Sequence, residues 1–256
     1  MPETHENTID KPLIWKEKHQ IRSYDVDAEK RATLMSLCRY FQESAGHHSQ
    51  TAKLGYDHLL EMGQFWVLSR FFIEVDRYPL WQEQISIETW SKGPEGIFAL
   101  RDFIFYDTDE KVIARGTSGW LTLDIEKRRP RRLDYFAEIM PYVSDKHAVE
   151  HRFSKIPPIE KPDIKSTFTV CYYDLDISNH VTSTKYIEWI LISFPIEYLT
   201  TKQVRNFEIN FMAESLYNDE ILILWDETSQ NKKVTSVMVK RKTDNRELCR
   251  ARVGWD

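Results

Sequence analysis

The sequence predicts an α+β fold of two tandem repeats, each a long helix against a curved antiparallel sheet, and three observations point to it. Tyr24-Asp25-Val26-Asp27 is echoed by Tyr173-Asp174-Leu175-Asp176 at an offset of 149 residues; Thr108-Asp109, Arg115 and Gly119-Trp120 recur as Thr243-Asp244, Arg250 and Gly254-Trp255 at an offset of 135. A helical spacing of apolar residues follows each YDxD segment. Four runs rich in β-branched and aromatic residues follow each helical segment.

In the first repeat, Leu34, Leu37, Cys38 and Phe41 stand at i, i+3, i+4 and i+7, the spacing of a helix buried on one face. Strands are expected over Phe65 to Val75, Gln84 to Trp90, Ile97 to Tyr106 and Val112 to Leu123, with turns at Gly93-Pro94 and Asp107-Thr108. In the second repeat the helix starts near Thr182 and carries Tyr186, Ile187, Ile190, Leu191 and Phe194 before Pro195. Its strands are expected over Val204 to Met212, Glu220 to Trp225, Val234 to Lys242 and Glu247 to Trp255. The offsets of 149 and 135 differ by 14 residues, which an insertion between Gly46 and Gly63 explains. The organisation read from this is a first repeat over 12–133, a linker with one short helix over 134–165, holding Pro141, Pro157, Pro158 and Pro162, and a second repeat over 166–256.

Composition narrows the functional classes. The 256 residues include 35 Lys and Arg against 40 Asp and Glu, 41% hydrophobic residues and only 8 Gly and 10 Pro, which excludes disorder and low complexity. No apolar run is long enough to span a bilayer. Met1 to Lys11 carries Glu3, Glu6 and Asp10 and shows neither a signal nor a transit pattern, so a cytoplasmic location is the expectation. Cys38, Cys171 and Cys249 have no CxxC spacing and are expected to be small core residues, while His147 and His151 lack the Glu of HExxH; no metal and no cofactor is called for.

The segment Asp174-Leu175-Asp176-Ile177-Ser178-Asn179-His180-Val181-Thr182-Ser183, followed by Lys185-Tyr186-Ile187-Glu188-Trp189-Ile190, resembles the active-site segment of the acyl-acyl-carrier-protein (acyl-ACP) thioesterases of plants and bacteria, DLDxNxHVNN followed by KYIxW. Tyr78-Pro79-Leu80-Trp81, Ile87-Glu88-Thr89-Trp90 and Ala114 to Trp120 extend the likeness, which runs from about Ile14 to Trp255. The resemblance implies a double-hotdog enzyme that hydrolyses the thioester between a fatty acyl chain and its carrier protein. It implies catalytic roles for Asp176, His180 and Glu214, and puts Ser178 where the family has a catalytic Asn. Thr182 and Ser183 replace two further Asn, and Ser215 stands where the family often has Cys.

Thioester hydrolysis needs an activated water, a positioned acid or base, and donors for the oxyanion. Asp176 and His180 flank a helix start whose free N–H groups suit developing negative charge. Glu214, at a strand end, is a candidate general base, poised by partial burial. Read alone, Asp176, Ser178 and Ser183 would more often be helix caps, and Glu214 an ordinary strand-end acid facing solvent. At the repeat offsets His180 maps to Arg31, and Glu214 to Tyr78 or Pro79, so the expectation is one site per chain, in the second repeat. The first repeat is then free to hold the acyl chain, with Leu34, Leu37, Phe41, Leu59, Met62 and Trp66 as candidate lining.

Lys127, Arg128, Arg129, Arg131 and Arg132 crowd five cations into six residues of a net acidic chain without aromatic RNA motifs; docking of an acidic carrier protein is favoured over nucleic acid, with a solvated loop as the plain alternative. Two fused repeats form a pseudo-dimer, which leaves room for a further homodimer. An acyl-CoA thioesterase and a noncatalytic acyl-binding module remain the competing readings.

Overall fold

The computed structural model describes residues 12–133, 136–226 and 233–256; Met1 to Lys11, on which the targeting expectation rests, lie outside them. Strands β1 (Trp15–Gln20), β2 (Gln64–Val75), β3 (Gln84–Glu95), β4 (Phe98–Tyr106) and β5 (Val112–Asp124) precede β6 (Asp163–Thr169), β7 (Val204–Phe211), β8 (Glu220–Trp225), β9 (Val234–Arg241) and β10 (Glu247–Trp255). They form one antiparallel sheet in the order β1-β3-β4-β5-β2-β7-β10-β9-β8-β6. Read inward from each edge, the two halves have the same order, so the sequence repeat is also a topological one. They meet at β2 and β7, where Phe72 lies opposite Glu208.

Every strand expected from the β-branched and aromatic runs is present, shifted by a few residues at some ends. β3 runs on through Gly93, whose φ of +87° permits the register shift there. The leading strand of each half, β1 and β6, had no marked run. Both are edge strands, so they bury little and carry polar residues, and β6 takes up the last three positions of the expected linker.

Helix α1 (Leu34–Thr51) is capped by Thr33, whose Oγ1 accepts from the Ser36 N–H, and buries Leu34, Leu37, Cys38, Phe41 and Ala45. Phe41 stacks on Phe103 of β4 at 4.0 Å. Helix α4 (Ser183–Ile192) packs beside α1 and buries Tyr186, Ile187, Ile190 and Leu191. It stops two residues short of Phe194, and α5 (Ile196–Thr201) starts after Pro195, whose ring cannot continue α4. The insertion of the first half is largely helical: α1 has 18 residues against 10 in α4, and α2 (Tyr56–Glu61) follows it.

One hydrophobic core runs across both halves, from Leu37 and Phe71 to Ile187 and Phe207. A second, smaller cluster of Ala52, Leu54, Leu59, Leu133, Phe136 and Met140 lies under the end of α1. The segment between the halves holds α3 (Phe136–Ile139) and is anchored rather than free: the Ala148 N–H donates to Asp102 Oδ2 at 2.8 Å, and the Ile156 N–H to Asn210 Oδ1 at 3.0 Å. Cys38 and Cys249 are buried, and burial raises both thiols; Cys171, expected in the core, is exposed.

Candidate active site

The YDxD segments explain how the functional side chains are placed. In the second half the Asp176 N–H donates to His180 O at 2.8 Å, the Asn179 N–H to Asp176 O at 3.0 Å, and the Thr182 N–H to Asp174 O at 2.9 Å. The first half repeats this frame: Asp27 N–H to Arg31 O at 2.8 Å, Lys30 N–H to Asp27 O at 3.0 Å, Thr33 N–H to Asp25 O at 2.9 Å. The conserved frame therefore comes from backbone bonds, and the side chains it presents differ. Arg31 pairs with Asp27 at 3.3 Å, whereas His180 faces across the site.

Asp176 accepts from the Ser178 N–H at 2.8 Å and from Ser178 Oγ at 2.5 Å. With its one proton committed to the carboxylate, Ser178 Oγ accepts from His180 Nδ1 at 3.2 Å. That bond fixes the ring and leaves Nε2 facing Glu214 Oε2 at 3.2 Å. Asp176, Ser178, His180 and Glu214 thus form one continuous chain of contacts. Neither Asp176 nor Ser178 caps α4: the N-cap is Thr182, and its side chain makes no capping bond. Ser183 Oγ donates instead to Gln42 Oε1 of α1 at 3.1 Å, tying the two halves together.

Glu214 follows β7. The Val181 N–H donates to Ser215 O, as the Ala32 N–H donates to Pro79 O in the first half, which pairs Ser215 with Pro79 and Glu214 with Tyr78. Tyr78 is buried and donates to Val204 O at 2.9 Å; Glu214 keeps 45% of its side chain exposed, and His180 19%. Ser215 Oγ is buried and bonded to the Tyr186 hydroxyl at 2.5 Å, so it is not presented to the site.

Arg128, grouped in the sequence with the docking cations, turns inward. Its Nη2 is ion-paired with Glu214, lies 3.1 Å from His180 Nε2, and its guanidinium rests over the Phe65 ring at 4.9 Å. The sequence signal that could have separated it from its neighbours is weak: it lies in the turn that starts at Asp124, where its backbone takes a φ of +52°. Lys127, Arg129 and Arg132 are exposed beside it, and Arg131 is paired with Asp124 at 2.6 Å.

These groups open on a cavity of about 600 Å³, lined by Phe65 to Ser69 of β2, Trp120, Leu121 and Leu123 of β5, and the second-half residues Asp176, Ser178, His180, Thr182, Ser183 and Glu214. The site therefore lies across the β2–β7 seam, with walls from both halves. A second cavity of about 470 Å³ shares Gln42, Trp66 and Trp120 with it and runs beneath α1. Of the six apolar residues expected to line an acyl pocket, Trp66 lines both cavities. Leu34, Leu37, Phe41 and Leu59 are packed in the cores, Met62 is exposed, and none of these five lines either cavity. Helical periodicity finds the face turned to the sheet, which here is filled; the lining comes from the neighbouring face, Gln42, Ala45, Gly46 and Ser49.

The sheet order and the two helices define a tandem hotdog protein with a carboxylate–imidazole site on the wall of its larger cavity. Residues 12–139 match the N-terminal domain, and 159–256 the C-terminal domain, of the acyl-ACP thioesterases, and the chain belongs to that family. A crystal structure of an acyl-ACP thioesterase from Bacteroides thetaiotaomicron is 32% identical, with a TM-score of 0.87 over 95% of this chain and 98% of that one. The 12:0-ACP thioesterase from Umbellularia californica shares the fold at 21% identity, with a TM-score of 0.81 over 96% of this chain and 98% of that one. The chloroplastic oleoyl-acyl carrier protein thioesterase of Coriandrum sativum is 30% identical over 227 residues, 82% of this chain and 61% of that protein. The chain spans about half to two thirds of the length of such curated plant relatives.

Proposed function

We propose that this protein hydrolyses fatty acyl-ACP thioesters, releasing the free fatty acid and the carrier thiol. The observation that carries the reading is the approach of His180 Nε2 to Glu214 Oε2 at 3.2 Å on the wall of one cavity. A water held there gives its proton to Glu214 and attacks the carbonyl carbon. The C–O bond forms, the C–S bond breaks, and the proton passes to the departing thiolate. Asp176 acts through Ser178 to hold His180 in the tautomer that leaves Nε2 unprotonated, an acceptor towards Arg128 and the water. Arg128 and the α4 N-terminus put positive potential where the oxyanion develops, and one such preorganised donor contributes about 3 kcal/mol.

The acyl chain is assigned to the second cavity, reached between Trp66 and Trp120. Lys127, Arg129 and Arg132 beside the mouth supply the attraction for an acidic carrier. The test is release of free thiol from acyl-ACP and from acyl-CoA by the purified protein and by Glu214→Gln. Hydrolysis of acyl-ACP that Glu214→Gln abolishes, with an unchanged thermal midpoint, supports the reading. A preference for acyl-CoA moves the substrate to the nucleotide thioester, and binding of either without thiol release makes the protein an acyl-binding module.

A further inference from the structure

We propose that the cavity beneath α1 is built for an acyl chain that carries an oxygen, as a hydroxyl, oxo or carboxylate group, towards its far end, with Arg101 as the group that meets it. This rests on the reading of that cavity as the acyl site.

Arg101 lies on β4 and faces α1, like Ala99 and Phe103 on either side of it in the alternation. It is 6% exposed. Its Nη1 donates to His48 Nδ1 at 3.0 Å and Thr89 Oγ1 at 3.2 Å, and its Nη2 reaches Ser49 Oγ at 3.4 Å. All three partners are neutral oxygens or nitrogens. His48 donates through Nε2 to Pro12 O at 2.7 Å, so its Nδ1 is the acceptor and the ring carries no negative charge to Arg101. Among the described residues no carboxylate lies within ion-pairing distance of the guanidinium, whereas its sequence neighbour Asp102 faces away, towards Lys92 and the Ala148 N–H. Burial alone lowers the Arg101 pKa, to about 10.

A buried guanidinium without a counter-anion is rare, because desolvating a charge is costly unless it is paired. Here the unmatched charge lines a cavity, beside Ser49 and beside Ser91, which is its cross-strand partner on β3. The rest of the buried wall includes Ala45, Leu54, Ala99 and Phe136, while the polar α1 residues Glu43, His47 and Gln50 stand at its exposed rim. Arg101 is thus the one charged side chain on the buried part of the wall among the described residues. Gln42, at the junction with the catalytic cavity, and Ser49, beside Arg101, are two helical turns apart on one face of α1, roughly 10 Å. A methyl-ended chain that reached this far would strip water from the guanidinium and return nothing. An oxygen at that point accepts a charge-assisted hydrogen bond.

The experiment compares kcat/KM of the wild-type enzyme for acyl-ACP series matched in length and ending in methyl, hydroxyl or carboxyl groups. At the lengths that fill the cavity, an oxygenated end is expected to be preferred by about tenfold or more, and the hydroxyl and carboxyl arms tell a neutral oxygen from an anion. Arg101→Met is expected to invert the preference. Equal or better use of the methyl-ended chain at every length by the wild type overturns the proposal, and that comparison needs no variant to fold. Gly46→Leu tests the underlying assignment separately: an added Cβ there meets nothing within 4 Å, so the larger side chain enters open space. If Gly46→Leu shortens the chain accepted but no oxygen preference exists, the role of Arg101 alone is overturned. If Gly46→Leu leaves the length profile untouched, the cavity is not the acyl site, and the proposal is overturned with it.

Discussion

Lys30 and Asn179, 149 residues apart, hold the same left-handed backbone angle, φ +61° and +60°, at the same point of two loops with the same hydrogen bonds. Asn tolerates this region better than most residues, while a residue with a Cβ and no compensating side-chain bond is disfavoured there by about 1 kcal/mol. Asn179, between Ser178 and His180, therefore serves the backbone rather than replacing the family's catalytic Asn. Asn179→Gly should keep turnover near wild type, and Asn179→Ala should lower the thermal midpoint by a few degrees. A hundredfold loss of turnover in the Gly variant with an unchanged midpoint would show the carboxamide itself at work.

The chain of contacts through Asp176, Ser178 and His180 predicts graded losses. His180→Ala and Asp176→Ala should each reduce kcat by about a hundredfold or more in folded protein. Ser178→Ala breaks the link at 2.5 Å and 3.2 Å and should cut kcat about tenfold, while Ser178→Asn, which can still bridge Asp176 and His180, should retain or raise it. A loss of stability alone in Ser178→Ala would contradict the relay, since Ser178 caps nothing.

Arg128 should part company with its neighbours in kinetics. Arg128→Met removes the guanidinium from Glu214 and His180 and should lower kcat about tenfold on acyl-ACP and on a small acyl thioester alike. Reversing the charge of Arg129 and Arg132 should raise KM for acyl-ACP, weaken its salt dependence, and leave the small substrate nearly unchanged. Parallel behaviour of the two variants on both substrates would remove the distinction.

Acid sensitivity should be concentrated at His48. Burial and the neighbouring Arg101 lower its pKa from 6.5 to about 4 in the folded state. Below pH 6.5 the unfolded chain takes up the proton first, so stability is full above that pH and falls as the pH drops towards about 4, by about 3 kcal/mol in all. His48→Gln, whose amide can donate to Pro12 O and accept from Arg101, should be less stable at neutral pH but lose less between pH 7 and 4. Urea midpoints at several pH values give both slopes, and identical slopes would sink the assignment.

Much of this architecture is legible in the residues. Strands with a buried face announce themselves, as Phe65 to Val75 and Val204 to Met212 do, because alternation and β-branching follow from packing. The edge strands Trp15–Gln20 and Asp163–Thr169 do not, because a strand that buries little needs few apolar residues. The repeat offset gave Arg31 as the counterpart of His180, and the shared loop frame has them in equivalent places. Arg128 was hidden for a different reason. Five cations in six residues look alike in a sequence, and only the turn that reverses the chain after Asp124 separates the one facing Glu214 from the other four, of which Arg131 pairs with Asp124. The cavity walls were hidden too, since the α1 face that borders the second cavity mixes small residues, Ala45, Gly46 and Ser49, with polar ones, Gln42, Glu43 and Gln50, and carries no periodic apolar mark.

The seam between β2 and β7 joins halves that share one core, and the 600 Å³ cavity takes its walls from both sides of it. A molecule held there touches two bodies at once and works as a clasp across the join. Whatever binds it favours the joined state over any in which the halves have slipped apart, stabilises the fold by mass action by about 2.7 kcal/mol at a hundred times its dissociation constant, and so raises the melting temperature. Occupancy and integrity of the seam are thus one equilibrium, and a substitution that loosens the β2–β7 pairing should weaken ligand binding without touching the ligand.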